Sequence, residues 1–208
     1  MRGGILALHV HKKAIRALGV SESFRKGVGG KSVLAGVVMR SDMVIDGFTF
    51  GFAEVGGMDS TDRITEMYKN LNREDVNLLL LNGCVISWYN VVDLQKLHEE
   101  TEIPLICVTY EESPGLERYF KELFPEDWEY RVSVYRKNGG RTEFRLKTGH
   151  TVYVRFLGVS REDAEGVLNK FTLHGAVPEP LRVARLLARS LMRTLSKERL
   201  SELMETLR

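Results

Sequence analysis

The chain has 208 residues, 43% of them hydrophobic and 28% charged, the make-up of a water-soluble globular protein long enough to bury a sizeable core. No apolar run approaches the ~20 residues that cross a bilayer, and the opening MRGGILALHVHKK lacks a small-residue cleavage site. Neither a membrane anchor nor a secretory leader is therefore expected, and the cytoplasm is the expected location. The net charge of +2 hides an uneven distribution: residues 41–130 hold 19 acids against 6 bases, residues 1–31 hold 7 bases against 1 acid, and residues 181–208 hold 7 against 3. Such asymmetry admits an anionic partner, although dispersed charge is usually an ordinary solvated surface.

In chain order, AIRALGV (14–20), KSVLAGVVMR (31–40) and MVIDGFTFGFAEV (43–55) are rich in β-branched and aromatic residues. They predict three strands, the last two joined by a tight turn at Ser41-Asp42. MDSTDRITEMYKNL (58–71) opens on cap-type residues, Asp59 or Ser60, and spaces Ile64, Met67, Tyr68 and Leu71 as an amphipathic helix does. A buried strand is expected at 76–81, in the leucine run that stops on Asn82-Gly83. A helix from about Val91 to Glu100, a second buried strand at 103–110 and a helix at 114–123 follow. Strand–helix alternation implies parallel pairing with right-handed crossovers, so a three-strand meander leading into it makes a mixed sheet covered by helices. Beyond Trp128, YRVSVYRK (130–137), RTEFRLK (141–147) and TVYVRFLGV (151–159) read as strands, and helices return at 160–170 and 178–207, where Pro178 and Pro180 suit a helix start. No repeat, low-complexity tract or linker divides the sequence, so residues 1–208 read as a single domain with its core at about 14–195.

Few residues suggest chemistry outright. Cys84 and Cys107 lie in apolar stretches without metal-type spacing and read as buried free thiols. The histidines are scattered, and GVGG (27–30) and VGGM (55–58) lack the spacing of a phosphate or dinucleotide loop. Ser21-Glu22-Ser23 ends the first strand, beside Asn82 in the predicted sheet; it is either half of a metal or phosphate site or a set of turn residues. Glu54, Asp59 and Asp62 could give one carboxylate arm to a divalent cation. Asp59 and Asp62 are equally readable as a helix cap and a first-turn acid. Arg182, Arg185, Arg189 and Arg193 recur at steps of three, four and four, opposite an apolar face of Leu181, Ala184, Leu187, Ala188 and Leu191. The arginine fork suits phosphate, so this stripe, with Lys26 and Lys31, either meets nucleic acid or pairs with the acidic middle of the chain.

The stretches ALGVSESF, GMDSTDRITEMY, LLLNGCVISWYNVVDLQKLHEETEIPLICV and FTLHGAVPEPLRVARLLA occur in that order over roughly residues 14–195. Together they resemble the archaeal family catalogued as domain of unknown function 99, or uncharacterised family 0215, which is similar to endonuclease V. The resemblance implies an α/β fold of RNase H-like, endonuclease V-like type. In it, a mixed five-stranded sheet has helices on both faces, and extra β and helical segments lie toward the C-terminus. In endonuclease V-like enzymes, the resemblance further implies, an Asp ending the first strand binds Mg²⁺; here that position is Ser21, followed by Glu22. A second carboxylate follows the third strand, with Asp59 or Asp62 nearest, and a third belongs to an Asp-Gly pair, here Asn82-Gly83. The fourth position follows a PEPxRxA pattern, here Pro178 to Ala184 and then Arg185.

Three of the four positions thus lack a carboxylate. Mg²⁺ prefers hard anionic oxygens, whereas Ser21 and Asn82 offer neutral ones and Arg185 brings a cation. A two-ion centre is not expected; what remains is weak holding of one Mg²⁺ or Mn²⁺ through Glu22, Glu54, Asp59 or Asp62. Three functions are consistent with this pattern. The first is a nucleic-acid-binding protein on a nuclease scaffold, with cleavage lost or much reduced. The second is an active Mg²⁺- or Mn²⁺-dependent endonuclease on modified or structured nucleic acid. The third is a non-catalytic scaffold whose basic C-terminal helices dock on an acidic partner or another copy of the chain.

Overall fold

A computed structural model describes residues 15–25 and 30–194. β1 (Arg16–Ser23), β2 (Lys31–Arg40) and β3 (Ile45–Glu54) form the antiparallel meander. Its second turn is looser than a two-residue hairpin: Arg40 N–H reaches Val44 O at 2.9 Å and Met43 takes a left-handed φ of 68°. α1 (Ser60–Asn70) then leads to β4 (Leu78–Asn82), and a small hairpin follows, β5 (Val85–Ile86) with β6 (Asn90–Val91). α2 (Leu94–Thr101) is capped by Asp93, whose carboxylate accepts from the Gln95 and Lys96 amides. β7 (Leu105–Thr109), α3 (Glu117–Leu123), α4 (Trp128–Lys137), β8 (Thr142–Arg145), β9 (Thr151–Leu157), α5 (Arg161–Phe171) and α6 (Glu179–Thr194) complete the order.

The sheet has seven strands, ordered β3-β2-β1-β4-β7-β9-β8, two more than expected. β1, β4 and β7 run parallel at its centre, and the β8–β9 hairpin extends it antiparallel beyond β7. The strand period of two splits the core into two layers. Ile15, Ala17, Leu78 and Leu80 pack under α5 and α6, while Leu18, Val20, Leu79 and Leu81 pack under α1 and α2. Four consecutive leucines in β4 are thus explained by a central strand buried on both faces.

One expected strand is a helix. Residues 130–137 lie in α4, which buries Arg131, Val132 and Val134, with Trp128 and Tyr135 partly buried beside them. Val132 and Val134 mimic strand alternation, but the apolar set 128, 132 and 135 around Arg131 follows helical spacing. Of the last predicted helix, 178–207, residues 179–194 are helical; Pro178 precedes the first turn, and 195–207 lie outside the described residues.

Candidate functional site

β1 and β4 end side by side. Val20 pairs with Leu81, so the next residues, Ser21 and Asn82, stand at neighbouring strand ends. The start of α6 crosses β1 at this point. The buried Ser21 hydroxyl donates to Leu181 O at 3.0 Å, and Gly19 lets Pro180 lie flat on the strand. A Cβ at Gly19 would come 2.5 Å from Pro180 Cβ and 2.6 Å from its carbonyl carbon. With α6 anchored there, Arg185 comes one turn after Leu181 and acts electrostatically on both Glu22 and Tyr110. Ser21 and Asn82 are therefore neighbours, and Arg185 stands over the same corner of the sheet.

Glu22 is the acid that faces this corner. Burial pushes its pKa up to about 7, opposed by a hydrogen bond from the Ser87 amide and by the Arg185 charge. Its Oε2 is buried and has no hydrogen-bond partner among the described residues, and the same holds for the Tyr110 hydroxyl. Burial raises the Tyr110 phenol above its ordinary value as well. Unsatisfied buried polar atoms are uncommon, and two of the five among the described residues lie within the field of the Arg185 guanidinium.

The arginine stripe forms as expected. Arg182, Arg185, Arg189 and Arg193 are exposed, while Leu181, Ala184, Ala188 and Met192 are buried against the sheet. Leu187 and Leu191 are half-buried at the margin. Arg182 is not free: Glu179, buried in the same first turn, accepts from its Nε at 2.8 Å. Arg25, beyond the end of β1, donates to Met192 O at 3.1 Å and adds a guanidinium at the far end of the stripe. Lys31 pairs with Glu54, and Lys26 lies outside the described residues.

The remaining candidate acids have partners. Asp59 occupies the position before α1 but caps no helix amide; its Oδ1 accepts from Glu54 N at 3.0 Å and Asn90 Nδ2 at 2.8 Å, and its Oδ2 lies 3.3 Å from Arg63 Nε. It ties the end of β3 to α1 and to the β5–β6 hairpin. Asp62 is exposed and pairs with Lys96. Among the described residues no three of His, Cys, Asp or Glu converge on one point.

Two features had no counterpart in the sequence reading. In the β5–β6 turn, Ser87, Trp88 and Tyr89 have φ of 46°, 61° and 64°, all left-handed and none of them glycine. Each such residue costs on the order of 1–3 kcal/mol unless its surroundings enforce it. Arg131, 4% exposed, supplies much of the enforcement: it donates to Tyr89 O (2.9 Å), Gly57 O (3.1 Å) and Gly56 O (2.7 Å), and pairs with Asp127 at 2.7 Å. Gly56 N–H in turn binds Ser87 O at 2.8 Å. The loop presents Trp88 near Phe24, ring centroids 6.5 Å apart. The second feature is a cavity of about 350 Å³ at the carboxyl ends of β4 and β7, lined by Asn82, Cys84, Tyr110, Tyr135, Arg141 and Arg155 among others. Ligands of open α/β sheets gather at such strand ends.

The family described as endonuclease dU matches residues 13–192. A UPF0215 protein of Pyrobaculum aerophilum is 37% identical over 186 residues, 88% of this chain and 98% of that protein. A solved structure of a protein of unknown function from Archaeoglobus fulgidus superposes with a TM-score of 0.74 at 26% identity, covering 86% of this chain and 98% of its own. Endonuclease V of Ciona intestinalis, in complex with a 24mer DNA containing an inosine followed by a ribo-adenosine, superposes with a TM-score of 0.62 at 13% identity, covering 88% of each chain. The fold is thus the RNase H-like fold of endonuclease V, with the β8–β9 hairpin joined to its sheet. This chain belongs to the endonuclease dU family, an archaeal family similar to endonuclease V.

Proposed function

We propose that this protein binds nucleic acid across the ends of β1, β4 and β7 and along the exposed face of α6, with metal-dependent cleavage lost or much reduced. The observation that carries the reading is the donor set at the corner of the sheet: a neutral hydroxyl at Ser21, a neutral amide at Asn82, and the Arg185 charge beside Glu22. That set does not fit a two-ion Mg²⁺ centre, which needs converging anionic oxygens. It fits direct contact with a phosphate oxygen, where Arg185 supplies the charge that an ion would otherwise provide. Arg185, Arg189 and Arg193 follow the helix at the spacing of one face, which suits a polyanion better than a single small anion.

Asn82 also walls the cavity of about 350 Å³, at the lower end of the volumes that hold small ligands. Tyr110, Tyr135 and Arg141 on its walls offer flat faces and donors to one unstacked base. The Ciona endonuclease V complex contains an inosine, and the family description names dU; both make a modified base the first probe to try. The second reading, an active endonuclease, is favoured by Glu22, whose buried carboxyl is the one acid retained at this corner.

Fluorescence titration of single-stranded and duplex oligonucleotides carrying deoxyuridine or inosine, between about 50 and 200 mM salt, tests both readings. Salt-sensitive binding without cleavage in Mg²⁺ or Mn²⁺ is expected. Absence of salt-sensitive binding overturns the proposal. Cleavage that requires Mg²⁺ and disappears in Glu22→Gln replaces it with the second reading.

A further inference from the structure

The two free cysteines come together at the cavity wall, although they are 23 positions apart in the chain. Gly83, with φ 87°, turns the chain sharply after β4. Cys84 consequently lines the cavity while its thiol hydrogen-bonds the thiol of Cys107 on the neighbouring strand β7. Arg155 of β9 completes the group, with Nη1 3.4 Å from Cys84 Sγ. The guanidinium is itself fixed. It is 8% exposed, its Nε donates to Gly139 O at 2.8 Å, and it lies 5.2 Å from the Tyr135 ring centre.

The two sulfurs differ in their surroundings. Cys84 has a cavity on one side and a guanidinium donor against its sulfur, the setting that favours thiolate. Both thiols are buried in the apolar layer under α1 and α2, but Cys107 does not line the cavity, and the hydrogen bond from Arg155 goes to Cys84. The neighbouring Cys107 thiol and the Arg155 charge draw the Cys84 thiol below its ordinary value, while Cys84 and burial hold Cys107 well above its own. Cys84 is thus the sulfur that meets both the cavity and the guanidinium, and Cys107 is the neighbouring sulfur held in its protonated form.

We propose that Cys84 and Cys107 form a peroxide-reactive dithiol site, with Cys84 the attacking sulfur, reached through the cavity, and Cys107 the resolving one. In the first step the Cys84 thiolate attacks one oxygen of a hydroperoxide. The S–O bond forms, the O–O bond breaks, and the departing oxygen takes a proton from solvent as water or an alcohol, leaving a sulfenic acid. In the second, the Cys107 sulfur attacks the sulfenic sulfur; the S–S bond forms, the S–O bond breaks, and the Cys107 proton leaves with the hydroxyl as water. The dithiol gives up two electrons and the peroxide accepts them. Neither step uses Ser21, Glu22 or the α6 arginines; the site shares with the nucleic-acid reading only the cavity, which admits the peroxide when no base fills it.

The test uses the full chain, hydrogen peroxide and intact-mass spectrometry with dimedone present. The expected product has lost two hydrogen atoms and both free thiols, carries no dimedone, and returns to the starting mass with dithiothreitol. Cys107→Ala should accumulate a dimedone adduct on Cys84, and Cys84→Ala should leave Cys107 unreacted. Arg155→Met should slow the wild-type reaction about tenfold, the fall in thiolate expected when the adjacent cation is removed. Thiols that survive peroxide levels sufficient to oxidise free cysteine overturn the proposal, as does a dimedone adduct on Cys107 in Cys84→Ala. The mass of the unmutated protein decides the matter even where a variant folds poorly.

Discussion

Removing Arg185 isolates the central electrostatic claim. Among the described residues Arg185, Arg189 and Arg193 form no ion pair, whereas Arg182 is already bound to Glu179. Three guanidinia are therefore available to displace counterions from a nucleic-acid backbone. At about 0.7 counterions per contact for a single strand and about 0.9 for duplex, log affinity against log salt should slope at about −2 and about −2.7. Over a rise from about 50 to 200 mM, affinity should fall about 18-fold for single strands and about 40-fold for duplex. Arg185→Ala should make the slope shallower by about 0.7 to 0.9 and weaken binding uniformly across sequences. Arg182→Ala should change it less, because that charge is already partly neutralised. Anisotropy titrations of a labelled oligonucleotide at four or more salt concentrations measure both slopes. An unchanged slope in Arg185→Ala, or a larger effect from Arg182→Ala, would show that the exposed face of α6 is not the contact surface.

Three further outcomes follow from the packing. Glu22 has its pKa raised from 4.5 to about 7, so between those values the folded protein keeps a proton that the unfolded chain has released. The stability this carboxyl contributes is full below pH 4.5 and is lost as pH rises through about 7, by about 2–3 kcal/mol; Glu22→Gln should remove that fall in urea unfolding at about pH 5 and about pH 8. Arg131→Met should strip donors from Gly56, Gly57 and Tyr89 and leave Asp127 unpaired. Loss of a charged donor from three carbonyls costs about 3–5 kcal/mol and should lower the calorimetric midpoint by about 10 °C, and a shift below about 2 °C would contradict the role given to Arg131. Gly19→Ala should force α6 away from β1, since the clash is with Pro180 backbone as well as its ring. The expected cost is about 1–3 kcal/mol in denaturant unfolding, with salt-sensitive binding weakened in parallel because Arg185 rides on that contact.

Legibility from sequence followed the range of the interactions. β4 announced itself because both faces of a central strand are apolar, and α1 because its apolar spacing is helical. The adjacency of Ser21 and Asn82 followed from strand order alone, which parallel pairing then realised. α4 was misread because Val132 and Val134 alternate, while the residue that settles its orientation is Arg131. An arginine in sequence reads as surface, and its burial depends on carbonyls some 42 to 75 positions away. Glu22 was visible as an acid at a strand end, but its perturbed proton comes from burial, the Ser87 amide and Arg185, each brought by tertiary contacts. The thiol pair was hidden for the same reason: its meeting depends on the β4–β7 register and the turn at Gly83.

The partners of the acids separate structure from function at this corner. Asp59, Asp62 and Glu54 were the candidates with the most obvious chemistry, and each is engaged by a neighbouring cation, Arg63, Lys96 and Lys31 respectively. Their negative charge is balanced locally and contributes little field at the ends of β1 and β4. Glu22 is different, because its local partner is one backbone amide and the nearest compensating charge is Arg185. A phosphate arriving at Arg185 would compete with Glu22 for that guanidinium, and loss of this compensation raises the pKa of Glu22 further. Binding of a polyanion should therefore be coupled to proton uptake near neutral pH, with affinity rising as pH falls through about 7. A divalent ion at the same place would do the reverse, drawing the carboxyl into its charged form and releasing a proton. The sign of proton exchange on binding thus distinguishes direct phosphate contact from metal-mediated contact.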